Sequence, residues 1–218
     1  TALAHRPSSS RWTLPFPGRN SGGWVNENEG LAPVILQFEQ SIHGPARIAE
    51  MTGLSMDGQR NWRLRGHLPP SDGPRGKMTS SAVAALAVRS SAADLGFPAK
   101  DSASLGETAG PSVLYSALLD FPQAAIQLIG SPDNKKAFWK AFEDSTHHAG
   151  LISGLGPQQP SSAICWHDND PPRLLPNPNS GLVEGYEVTF RQISLPGVGA
   201  RLVRYAGQPL FTVHISDA

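Results

Sequence analysis

Proline and glycine cut this chain into short pieces. There are 22 Gly and 20 Pro among its 218 residues, well above ordinary usage. A chain so punctuated folds with many turns and short elements rather than as a long bundle or coiled coil. The pieces still hold enough apolar residues, 39% of the total, for a real core. The length suits one domain, or one domain with extended tails.

Where the punctuation pauses, local patterns appear. Residues 1–30 read as an irregular arm, broken at Pro7, Pro15, Pro17, Gly18, Gly22 and Gly23. Residues 31–38 are short, apolar and partly β-branched, which predicts a buried strand after Pro33. Trp62, Leu64 and Gly66 alternate and predict another strand over 61–68. Residues 79–96 are Ala-rich and free of Pro. With Thr79 or Ser80 as cap and Val88, Ala92 and Leu95 on one face, they predict a helix stopped at Gly96. Residues 99–111 read as a loop, 112–120 as a short helix and 125–129 as a strand. A third helix is expected over 134–148. Residues 151–182 are loop-rich. Tyr186, Val188 and Phe190, then Phe211, Val213 and Ile215, alternate with polar residues and predict half-buried strands. Pro196-Gly197 reads as a turn between them. The expected class is α+β, with mixed sheets, about three helices and a β-rich C-terminal part. The expected divisions are an arm at 1–30, a core at 31–156 and a C-terminal part of the same domain at 157–218.

Several functions fall away on composition. Lys+Arg and Asp+Glu each number 18, so no net charge draws the chain to nucleic acid or to an anionic membrane. No apolar run is long enough to span a bilayer. One cysteine, Cys165, excludes an internal disulfide framework and any zinc site built on several thiolates. Cys165 and His167 would share one face of a strand, but a buried structural cysteine is the simpler reading. His147 and His148 are neighbours on a helix, about 100° apart, and do not chelate together. No metal and no cofactor is expected. The chain does not start with Met and shows no signal pattern, so either a fragment or a product cut from something longer is expected.

The residues with chemical promise lie around Ala109-Gly-Pro-Ser112. A serine between a Gly-Pro turn and an apolar helix is expected on that helix's first turn. There its hydroxyl is exposed, and free N–H groups lie ready for a developing oxyanion. Order along the chain adds to this. Val34–Pro45, Trp62–Leu68, Ser80–Ser90, Ala109–Ser112, Ile126–Gly130 and Lys140–Gly150 follow one another as do the motifs of the proteolytic domain of Lon proteases. Ala109–Ser112 resembles that family's Asp-Gly-Pro-Ser-Ala-Gly nucleophile motif, with Ala109 in place of Asp and Val113-Leu114 in place of Ala-Gly. His147-His-Ala-Gly150 resembles its His-Arg-Ala-Gly helix end.

The resemblance implies a Lon-like fold and a Ser112/Lys140 dyad. A serine hydroxyl needs a base, and a lysine serves only when neutral, which an apolar surround favours. Gly110, Pro111 and Val113 would border the oxyanion and substrate. Lys135 and Lys136 are the alternatives to Lys140. No ATP-binding motif Gly-x-x-x-x-Gly-Lys-Ser/Thr occurs. A motorless Lon-like domain resembles the birnavirus polyprotein-processing protease, which cuts after Ser/Thr-x-Ala. Ser216-Asp217-Ala218 fits such a product end. The implied activity is an ATP-independent serine endopeptidase in the host cytoplasm. It would act on a polypeptide such as its own precursor, with small residues before the cut and no nucleic-acid or membrane partner. The oligomeric state stays open. The alternatives are a catalytically dead Lon-fold module for assembly or binding, and a virion structural protein.

Overall fold

The computed structural model describes residues 10–14, 34–68, 76–143, 146–155, 160–167, 171–177 and 191–217. These form a mixed α/β structure with eight helices, where about three are expected from sequence. The expected strand around Tyr186, Val188 and Phe190 lies outside the described residues.

The principal sheet has four strands in the order β1-β2-β9-β5. They are β1 (Ser10–Leu14), β2 (Val34–Gln40), β5 (Ile126–Ile129) and β9 (Phe211–Asp217). The arm read as irregular therefore contributes an edge strand. β2 and β9 are antiparallel, with Leu36 opposite Ile215 and Phe38 opposite Val213. β5 runs parallel to β9, with Leu128 beside Val213. Alternation does the sorting, since successive side chains point to opposite faces. Leu36, Phe38, Phe211, Val213 and Ile215 are buried, while Glu39, Thr212 and His214 are not.

A two-stranded ladder, β3 (Ile42–His43) with β4 (Met78–Thr79), leads into α3 (Ser80–Asp94). Thr79 caps α3 as expected, its Oγ1 accepting from the Ala82 amide at 3.4 Å. α3 buries Val83, Ala84, Leu86, Ala87, Val88 and Ala92, so it is covered on nearly every side.

Between the two ladder strands lie α1 (Pro45–Thr52) and α2 (Met56–Leu64). The first half of the strand expected over 61–68 is the end of helix α2, and residues 65–68 form the turn after it. Ser55 Oγ accepts from the Gly58 amide and starts α2, and Gln59 and Trp62 turn inward three residues apart. Leu64 is 76% exposed, so the apparent alternation with Trp62 marked no common face.

Helix α4 (Ala103–Asp120) begins nine residues before the expected start and absorbs most of the expected 99–111 loop. Packing explains it. A Cβ at Gly106 would fall 2.6 Å from the Ala85 carbonyl oxygen, and one at Gly110 3.2 Å from the Ala85 amide. Two glycines one turn apart let α3 and α4 touch backbone to backbone. That burial offsets the poor helix propensity of glycine and of Pro111, which sits inside the helix.

α8 (Leu195–Ala206) crosses α4 in the same way: a Cβ at Gly199 would lie 2.8 Å from the Val113 carbonyl oxygen. Pro196-Gly197, expected at a turn between strands, is the first turn of α8, where proline fits because its missing N–H has no helical partner. The helix expected over 134–148 divides into α6 (Pro132–Glu143) and α7 (Thr146–Ser153). The one-turn α5 (Pro122–Ala125) precedes β5. A second sheet has β6 (Ala163–Trp166) between β7 (Arg173–Leu175) and β8 (Arg191–Ser194). Among the described residues no helix is long and apolar enough to cross a membrane.

Candidate active site

Because α4 starts at Ala103, Ser112 is not on a first turn. It lies in the middle of the helix, 4% exposed, and its Oγ accepts a hydrogen bond from the Ser161 amide at 3.2 Å. The expected exposure is absent, and so is the expected ring of free donors. Inside a continuous helix each N–H is bonded to the carbonyl four residues back. Pro111 has no N–H at all. Gly110 is explained by its contact with Ala85, and Val113 is fully buried. The Ser112 hydroxyl ties α4 to the chain entering β6.

Lys140 is exposed on α6. The inner face of that helix belongs to Phe138 and Phe142, whose rings stack at 5.7 Å. Lys140 is two residues from each, about 200° round the helix, so it turns outward. α6 packs on α7 and β9, whereas α4 packs on α3, α7 and α8. No hydrogen bond joins Ser112 to Lys140. Ser216 and Asp217 end β9, both exposed, and Asp217 Oδ1 accepts from Asn134 Nδ2 at 3.0 Å. Ala218 lies outside the described residues. Cys165 sits half-buried in β6 between Arg173 and Gln192. Among the described residues no three His, Cys, Asp or Glu side chains converge as a metal site.

The position expected for Ser112 is occupied by Ser104. It lies on the first turn of α4 and is exposed. The first helical bond of that turn runs from the Gly106 N–H to the Ser102 carbonyl, so the amides of Ala103, Ser104 and Leu105 come before the ladder begins. Ser104 lines a cleft of about 280 Å³. Asp101, Leu105 and Thr108 share its side of the cleft; Phe97, Leu174 and the Pro171-Pro172 pair complete the wall. Among the described residues Asp101 is the one ionisable group lining it. The Thr108 hydroxyl donates to the Ser104 carbonyl at 2.8 Å.

A signal for Ser104 was present in the chain. Asp101-Ser-Ala-Ser104-Leu-Gly106 keeps the Asp, Ser and Gly of Asp-Gly-Pro-Ser-Ala-Gly at their spacing. The tripeptide Gly110-Pro-Ser112 matches more consecutive letters and draws the eye away.

Beneath the cleft lies Arg89 of α3, 7% exposed. Its Nε donates to Ser102 Oγ at 3.3 Å, and its Nη2 donates to the His67 carbonyl and, at 3.5 Å, to that of Ala99. Its guanidinium carbon stands 5.4 Å from the Trp62 ring centroid. Burial pushes the guanidinium below its ordinary value, and the charge of Glu107 opposes this.

A serine–histidine pair also occurs, between β3 and α3. His43 Nε2 lies 3.0 Å from Ser80 Oγ. The two are 2% and 0% exposed, so no substrate reaches them. The Ser80 hydroxyl donates to the Leu210 carbonyl at 2.8 Å, which makes Nε2–H the donor in the pair. His43 Nδ1 is buried without a partner. Burial, then the nearby charge of Arg47, holds this imidazole below its usual value and so neutral. The pair is a structural pin.

Comparison with protein-family models, with curated proteins and with solved structures finds no match.

Proposed function

We propose that the chain is an ATP-independent serine endopeptidase of Lon-like type, with Ser104 rather than Ser112 as nucleophile. One observation carries this reading: an exposed serine on the first turn of a buried helix, at a cleft, within an Asp-x-x-Ser-x-Gly run. Ser104 Oγ attacks the scissile carbonyl carbon and loses its proton to a base. The first-turn amides are disposed to meet the charge developing on the carbonyl oxygen. The acyl-enzyme forms as the C–N bond breaks, the leaving amine takes the proton, and water then releases the acid. The resemblance assigns the base to Lys140. Lys140, however, is exposed on α6 and is not among the described residues that line the Ser104 cleft, so it is not in reach of the Ser104 proton there. The substrate class is an extended polypeptide, its own precursor included.

A second reading is a Lon-like module that binds a polypeptide without cutting it. The solvated state of Lys140 favours it.

The test is a chain extended a short way beyond Ala218, followed by intact mass. The extension is expected to be released from wild type and from Ser112→Ala, but not from Ser104→Ala; Lys140→Met tests whether the lysine that the resemblance implies takes any part. Release from Ser104→Ala at the wild-type rate refutes the endopeptidase reading. Release from Lys140→Met removes that lysine from the chemistry.

A further inference from the structure

We propose that Arg89 is a positioning residue for Ser104, acting through the hydroxyl of Ser102. The inference rests on the reading of Ser104 as nucleophile.

Ser102 is the N-cap of α4, and a serine there ordinarily turns its hydroxyl onto an amide of the first turn. Here it makes no such bond. Its Oγ instead donates backward to the Ala99 carbonyl at 2.8 Å and accepts from Arg89 Nε at 3.3 Å. The hydroxyl is thus held on both sides, facing away from the helix it would cap. The Ser102 hydroxyl therefore leaves the first-turn amides beside Ser104 uncapped.

Arg89 is suited to this task and costly otherwise. A buried guanidinium must satisfy its donors or destabilise the fold. Among the described residues no carboxylate hydrogen-bonds it. Its donors go to His67, Ala99 and Ser102, and two of those partners belong to the turn that delivers Ser104. Gly106 makes room for the stem, since a Cβ there would lie 2.7 Å from Arg89 Cγ. The Trp62 ring fixes the guanidinium from another side. The turn is therefore set from the interior by a cation that never touches substrate.

Cleavage of a synthetic peptide running from Val213 through Ala218 with a short extension, measured for kcat and KM, tests this. Ser102→Ala removes the held hydroxyl without emptying much space. It is expected to lower kcat about tenfold or more while KM stays within about twofold, because the nucleophile shifts and the cleft does not. Ser102→Thr keeps the hydroxyl and is expected to restore kcat. Arg89→Lys, a point charge that cannot hold all three partners, is expected to behave like Ser102→Ala. Wild-type kcat in Ser102→Ala and Arg89→Lys, with Ser104→Ala inactive, overturns the inference and leaves the nucleophile in place. Equal loss in Ser102→Ala and Ser102→Thr also overturns it. Wild-type cleavage by Ser104→Ala refutes the underlying reading instead.

Discussion

At the scale of single residues, the buried polar groups explain more than the exposed ones. His43 is neutral in the fold because water is excluded from it and Arg47 adds like charge. Its native value lies below the ordinary 6.5, so the unfolded chain binds the proton more tightly. Stability is therefore fully present above pH 6.5 and is lost as pH falls from there toward the lowered native value. The slope is at most about 1.4 kcal/mol per pH unit for this group. His43→Gln is expected to flatten the fall of Tm between neutral and mildly acidic pH, relative to wild type in matched buffers. An unchanged slope would show that the imidazole titrates alike in both states. Ser112 and Ser104 make the complementary point. Both stand in short runs of similar letters, and letters alone do not separate them. Burial and hydrogen bonding do: one is spent on Ser161, the other opens on a cleft.

At the scale of elements, α4 is the helix that arranges the rest. It is in contact with α3 along Gly106 and Gly110 and with α8 at Gly199. Alanine is the better helix former by about 1 kcal/mol. Even so, Gly106→Ala and Gly199→Ala are both expected to destabilise, by about 1–3 kcal/mol, because the new methyl meets backbone oxygen at 2.6 and 2.8 Å. Denaturant melts with a stability gain in either variant would show that these crossings have slack. Elements with strong local signals were legible in sequence. The alternation in β9, the apolar run of β2, the short strand β5 and the Ala-rich, Thr-capped α3 follow from residues close in the chain. The first half of α4 was not legible, because Gly106, Gly110 and Pro111 argue against a helix until α3 lies against them. α2 and α8 were missed for a related reason. A few alternating letters and a Pro-Gly pair look like strand and turn, yet a cap at Ser55 and another at Ser194 start helices there.

At the scale of the whole molecule, the last strand holds the first and the middle together. β9 lies between β2 and β5, so distant parts of the chain meet in one sheet. A chain stopped before Pro209 would lose Phe211, Val213 and Ile215 from the core and leave β2 and β5 without their shared neighbour. It is expected to show no cooperative thermal transition by circular dichroism; a normal melt would mean that the sheet is dispensable. By itself the sequence determined a class that mixes helices and strands, compatible with the expected α+β, the approximate places of the strongest elements, and the lack of net charge, because these depend on composition and near neighbours. Only the tertiary structure decided where α4 begins, and with it which serine reaches the surface. That choice depends on two helices approaching through glycines far apart in the chain, and no local pattern encodes such an approach.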